Sequence, residues 1–238
     1  MFADGEATRF HLPWNYHLSI QSFIYDALNT HAPELATKLH QLEHAPPFSY
    51  SEFLQTGPYQ PTDSGLSVQR GYWIINSDKP DLIDAVANSA LNENLTVGHT
   101  TIPVTATDIE TIEPVEETVY RTLSPVCVSH YVDENRIYLE PQDTMWGARI
   151  YKNVRERMKN TCGLPDNFKF SIDEIHWWKP KSLQVASEAY VPSARFEATI
   201  RADEKTSKFI QKQGLGERTG MGFGCIMPKS ETPDDWRA

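Results

Sequence analysis

The spacing of hydrophobic positions changes repeatedly along this 238-residue chain, and the changes mark out its elements. "TRFHLPW" reads as a short strand that Pro13 ends. "NYHLSIQSFIYDALNT" then sets Leu18, Phe23, Ile24 and Leu28 at helical intervals. "PELATKLHQLEH" continues helically, with Pro33 in a first-turn position and Leu35, Leu39 and Leu42 on one stripe. "FSYSEF" and "SVQRGYWIINS" have aromatic and β-branched strand character, separated by a Gly/Pro/Ser/Asp-rich connection. "KPDLIDAVANSALN" predicts a helix with Leu82, Val86 and Leu91 along one side, and "NLTVGHTTIPVTATDIETI" a returning strand. The order is β-α-β-β-α-β.

After the Glu/Pro stretch "EPVEET" the pattern repeats. "VYRTLSPVCVSHY" and "RIYLEP" are strand-like, and "DTMWGARIYKNVRERMKNTCG" is the strongest helix, with glycine just past its end. "NFKFSIDEIHWW" alternates, with Phe168, Phe170 and Ile172 expected inward. "LQVASEAY" and "ARFEATIRA" form another strand, "DEKTSKFIQKQ" a short helix, and "MGFGCIM" the closing strand with Phe223, Cys225 and Met227 on one side. Two split βαβ units of this kind predict an α+β protein of two tandem ferredoxin-like (βαββαβ, RRM-like) domains, residues 1–118 and 119–238. Fold alone leaves function open.

Composition narrows the class. Hydrophobic residues make up 39 % of the chain, enough for real cores. No apolar run approaches the ~18 residues of a membrane span, and the acidic start is unlike a secretory signal, so no membrane partner is expected. Cys127, Cys162 and Cys225 are few and scattered, as in a reduced, cytoplasmic protein. The net charge of −10 argues against nucleic acid until the chain is divided. Residues 1–120 hold four Lys/Arg against sixteen Asp/Glu, a net of −12, whereas residues 121–238 hold 18 against 16, a net of +2. A polyanion is expected on the second half.

Five of the twelve glycines, Gly214, Gly216, Gly220, Gly222 and Gly224, lie close together near the C-terminus around Arg218. Gly214-Leu215-Gly216, "ERTGM" and Gly222-Phe223-Gly224 reproduce a Gly-hydrophobic-Gly pair separated by five residues. With "LPWNYHLSIQSFIYDAL…PELATKLH" near the start and "TLSPVCV" at 122–128, this resembles the CRISPR-associated endoribonucleases of RAMP type that cut repeat RNA into guide RNAs. The resemblance covers nearly the whole chain. It implies cleavage of CRISPR repeat RNA by the neighbouring 2′-OH, without metal or cofactor, leaving 2′,3′-cyclic phosphate and 5′-OH ends. It also implies guide RNA and CRISPR interference complex subunits as partners; a homodimer is open.

The resemblance assigns Tyr25 in "FIYDAL" and His40 in "TKLHQL" to the catalytic site. The family's lysine has no counterpart, because Pro46 stands six residues after His40. Histidine suits acid or base work, its reference pKa being about 6.5. His44, on the same face if the helix persists, is the candidate for the second proton-transfer or phosphate-contacting group, with Lys38 or Arg218 as alternatives. His40 and His44 have two-His metal spacing, but no glutamate follows His40 and no third ligand is evident, so no metal is assigned. Arg149, Lys152, Arg155, Arg157 and Lys159 crowd one helix, either as a solvated face or as phosphate contacts together with Lys169, Arg195 and Arg218. Trp177 or Trp178 could stack on a base. Gly214, Gly216, Gly222 and Gly224 are read as admitting RNA phosphates to the main chain, or else as packing on the first domain. A non-cleaving repeat-RNA binder of the same fold is the alternative, and a general tandem RNA-recognition protein the third.

Overall fold

The two repeated patterns reappear as helices and strands in the computed structural model of the protein, which describes residues 9–42, 45–93, 95–186 and 189–232. The first half runs β1 (Phe10–Pro13), α1 (Tyr16–His31), α2 (Pro33–His40), β2 (Phe48–Tyr50), β3 (Leu54–Gln55), β4 (Tyr59–Thr62), β5 (Gly65–Val68), β6 (Gly71–Tyr72), β7 (Ile75–Ser77), α3 (Pro80–Asn92), β8 (Leu95–Val97) and β9 (Thr100–Ile102). The second runs β10 (Glu117–Thr122), β11 (Ser129–Val132), β12 (Asn135–Tyr138), α4 (Trp146–Thr161), β13 (Phe170–Gln184), β14 (Tyr190–Ala202), α5 (Glu204–Gln213) and β15 (Ile226–Pro228). Prolines open α2 and α3 at positions whose N–H would have no helical partner anyway. Asp203 caps α5, accepting from the Thr206 N–H at 3.0 Å.

The second unit has the ferredoxin-like sheet in order β13-β14-β10-β15, with the β11–β12 hairpin inserted before α4. Its core joins Tyr120, Phe196 and Ile200 of the sheet to Trp146, Ile150 and Val154 of α4 and Ile210 of α5. In the first unit the ladder is broken into short pieces: β2 pairs with β7, β1 with β5, and β8 with β9. Ile20, Ile24 and Leu28 of α1, Leu82 of α3 and Phe48 of β2 close a separate core there.

Four expectations are corrected. The stretch after Leu95 turns at Gly98, whose φ is +61°, and forms the β8–β9 hairpin instead of one long strand. Leu91 faces solvent. Phe168, Phe170 and Ile172 pack on the second core as expected, but two register shifts in β13, at Asp173 and His176, break the period of two beyond them, so Ile175 and Trp178 follow inward. The closing strand is only Ile226–Pro228, because a 3₁₀ turn over Thr219–Met221 and left-handed glycines precede it.

The units meet along a seam formed by the glycine segment and α5 on one side and β2 and β7 on the other. A Cβ on Gly220 would lie 2.2 Å from Cγ of Pro46. Gly222, at φ +86°, sits where a Cβ would lie 3.0 Å from the Tyr50 ring. Beneath them Arg157 of α4 is buried and donates to the carbonyls of Gln213 at 2.6 Å, Gly214 at 3.0 Å and Gly216 at 3.3 Å. Its guanidinium lies over the Phe209 ring, and burial pulls its pKa down to about 10, so it stays charged at neutral pH. At the other end, Arg195 of β14 and Lys181 of β13 hold Glu52 of the first unit, and His17 of α1 donates from Nε2 to the Gln184 carbonyl at 2.5 Å. Among the described residues no helix is long and apolar enough to cross a membrane.

Removing the Arg157 charge leaves three carbonyls without a donor, at about 1–3 kcal/mol for a buried orphan. Arg157→Met is expected to lower unfolding free energy by about 3 kcal/mol or more, read from urea midpoints. His17 is 3 % exposed and burial lowers its pKa, so the folded state favours the neutral ring. The unfolded chain takes up a proton near pH ~6.5, so this contribution is complete above that pH and lost as pH falls below it. Stability should drop from pH 7 to 5, and more gently in His17→Gln.

Candidate active site

Helices α1 and α2 form a tight pair joined at Ala32, and this returns His40 to the level of Tyr25. The two rings stack, with centroids 5.0 Å apart and planes 23° from parallel. Tyr25 also meets Phe48, a fully buried residue of β2, edge-on at 6.1 Å, which fixes the stack against the first core. His40 is exposed and ends α2, while Tyr25 is half-buried. Burial raises the Tyr25 pKa, so its hydroxyl keeps its proton at neutral pH and is available as a hydrogen-bond donor.

Tyr25 opens onto a cleft of about 610 Å³ between the units. Tyr25 and Pro46 line it from the first unit, and Arg136, Arg149, Lys152 and Arg218 from the second. Among the described residues Glu156 and Glu217 are the acidic ones on its wall. Lys152 is exposed and makes no ion pair or hydrogen bond among the described residues, whereas Arg149 uses Nε on the Ser129 carbonyl at 3.1 Å. Arg218 takes φ +60°, a left-handed conformation uncommon outside glycine, immediately before the 3₁₀ turn. The arrangement brings an imidazole and a phenol to the edge of a surface rich in fixed positive charge.

The sequence-derived residues divide accordingly. Tyr25, Arg149, Lys152 and Arg218 line the cleft, and His40, outside that lining, stacks on Tyr25. His44 lies outside the described residues. Arg155 and Lys159 are exposed on α4 away from the cleft lining, Arg155 beside Glu156 at 3.9 Å. Gly214, Gly216, Gly222 and Gly224 are buried, and Gly220 is the glycine that reaches the cleft wall. Arg157 and Arg195 serve the seam as internal hydrogen-bond donors, and Lys169 stands exposed at the start of β13. Trp178 packs on the second core, and Trp177 carries Lys179 over its ring at 5.6 Å. The buried thiols of Cys127 and Cys225 are pushed up to about 12 and stay protonated.

Sequence reasoning missed Gln21, Arg136 and Glu217. Gln21 precedes Tyr25 by one helical turn, a spacing legible beforehand. Arg136 is placed by the β11–β12 hairpin, whose turn takes positive φ at Asp133 and Glu134. The "DEN" between two tyrosine-bearing segments was the available signal.

Comparison with known proteins agrees with this architecture. A family model for the C-terminal part of CRISPR-associated protein Cas6 matches residues 109–228, and one for the Cas6 N-terminal part matches residues 11–105. The chain is 28 % identical, over 90 % of its length and 92 % of the relative's, to the CRISPR-associated endoribonuclease-like protein Cas6nc of Pyrococcus horikoshii. It is 24 % identical to the CRISPR-associated endoribonuclease Cas6 1 of Methanocaldococcus jannaschii, over 91 % and 87 %. A solved RAMP protein described as binding different RNA substrates superimposes with a TM-score of 0.80 at 25 % identity, covering 92 % of this chain and 93 % of that one. A solved CRISPR-associated protein, Cas6, gives 0.79 at 20 % identity, with 93 % and 94 % covered. With tandem ferredoxin-like units, the paired glycine signature and both halves matched, this chain belongs to the Cas6 family of CRISPR-associated proteins.

Proposed function

We propose that this protein is an endoribonuclease that cuts CRISPR repeat RNA into guide RNAs, at the mouth of the cleft between its two units. The observation that carries the reading is the Tyr25–His40 stack, 5.0 Å between centroids, at the edge of a wall carrying Arg136, Arg149, Lys152 and Arg218. The names of the relatives, endoribonucleases and RNA-binding RAMP proteins, support it.

The reaction is an internal transfer. The ribose 2′-oxygen beside the scissile bond forms a new bond to phosphorus as the bond to the 5′-oxygen breaks. The 2′-OH proton goes to a base and the 5′-oxygen receives one from an acid, leaving a 2′,3′-cyclic phosphate and a 5′-OH. His40 takes one of these proton roles. Tyr25, protonated at neutral pH, orients the phosphate or the 2′-OH by donating a hydrogen bond. Pro46 occupies the position of the family's lysine and lines the cleft, so positive charge for the phosphorane must come from elsewhere. Lys152 and Arg218, facing Tyr25 from the second unit, are the groups assigned to it. A non-cleaving repeat-RNA binder is the second reading, favoured by Pro46 and by the endoribonuclease-like name of the Pyrococcus horikoshii relative.

Incubation with the protein's own repeat RNA in EDTA tests this. Cleavage is expected to persist in chelator, to stop with a single 2′-deoxy substitution at the cut site, and to fall about 10²–10⁴-fold in His40→Ala. Tight binding without product supports the binder instead, and a requirement for added Mg²⁺ overturns the mechanism. Lys152→Ala is expected to weaken repeat-RNA binding and to reduce the slope of log affinity against log salt by about 0.7–0.9, as for one lost phosphate contact.

A further inference from the structure

Arg136 and Glu217 face each other on the cleft wall, and their pairing is built with more care than a surface ion pair. The Glu217 carboxylate accepts from the Ser129 N–H at 3.0 Å and from the Ser129 hydroxyl at 2.9 Å, as well as from Nη2 of Arg136. Arg136 donates from Nε to the Ser129 hydroxyl at 3.0 Å, and its guanidinium lies over the rings of Tyr131 and Tyr138, at 5.8 and 5.5 Å. Both side chains are partly exposed, at 29 and 24 %.

Each partner therefore keeps its place without the other. If Arg136 turns to a phosphate, Glu217 still has two donors on Ser129, so no carboxylate is stranded. The tyrosine faces still hold the guanidinium, whose planar fork fits a phosphate as well as a carboxylate. Until that exchange occurs, the cleft presents a carboxylate that repels any phosphate brought near it.

We propose that Glu217 is a specificity-determining residue: it occupies Arg136 internally, so that only RNA presenting a phosphate in register takes the guanidinium over. The inference rests on the RNA-binding reading above. A poorly fitting RNA meets the repulsion without the compensating contact, whereas the cognate repeat gains the contact.

Fluorescence anisotropy with the full chain tests it, using its own repeat RNA and a scrambled RNA of equal length over a salt series. Glu217→Gln, which removes the negative charge, is expected to tighten scrambled-RNA binding on the order of fivefold. Its effect on the repeat should be smaller, so discrimination falls. Arg136→Gln is expected to weaken repeat binding, with a slope shallower by about 0.7–0.9, and to weaken scrambled-RNA binding less. Unchanged discrimination in a folded Glu217→Gln, or equal loss on both RNAs in Arg136→Gln, overturns the proposal alone. A wild-type chain with no preference for the repeat overturns the RNA reading, and this inference with it.

Discussion

The buried guanidinium of Arg157 is the interaction on which the arrangement of the second unit depends. Helix α5 ends at Gln213, and the last carbonyls of a helix have no partner inside it. Here those of Gln213 and Gly214, with that of Gly216 beyond, converge on one cation projecting from α4. The charge also opposes the negative end of the α5 dipole. A single side chain thereby ties α4, α5 and the glycine segment into one rigid wall. Burying a charge is tolerated because both terminal nitrogens are hydrogen-bonded and an aromatic face covers it.

Once that wall is fixed, the cleft follows from it. The glycines let the segment lie directly on Pro46 and Tyr50 of the first unit, so the units touch through backbone and proline with little intervening bulk. That close approach brings Arg218 to the same cleft as Tyr25. At the far end Glu52, held by Arg195 and Lys181, provides the corresponding tie, and the Arg195 guanidinium is thereby taken up in the seam. The division of charge between the halves thus becomes a division of labour: the acidic half contributes the phenol–imidazole stack, and the other contributes the cations facing it.

The helices were legible because amphipathic spacing and terminal prolines act locally. Tyr25 and His40 were found through a resemblance spanning residues fifteen apart, and the turn at Ala32 explains their contact. The short β13 register shifts were not legible, since Asp173 and His176 are unremarkable strand residues and the bulge is imposed by pairing with β14. Nor was the truncation of the closing strand, where "GMGFGCIM" alternates as a strand should while Gly222 and Gly224 adopt φ values no strand uses.

By itself the sequence determined what depends on near neighbours: the doubled βαββαβ order, the helix starts, and the clustering of glycine around Arg218. Only the tertiary structure decided which basic residues are available and which are consumed. Arg149, Arg155 and Arg157 read alike on one helix, yet Arg149 lines the cleft, Arg155 faces solvent, and Arg157 touches the cleft but is buried and consumed as a hydrogen-bond donor. The reason is geometric. A helix turns 100° per residue, so charges a few positions apart meet different partners, and the partners are set by chain segments far away in sequence.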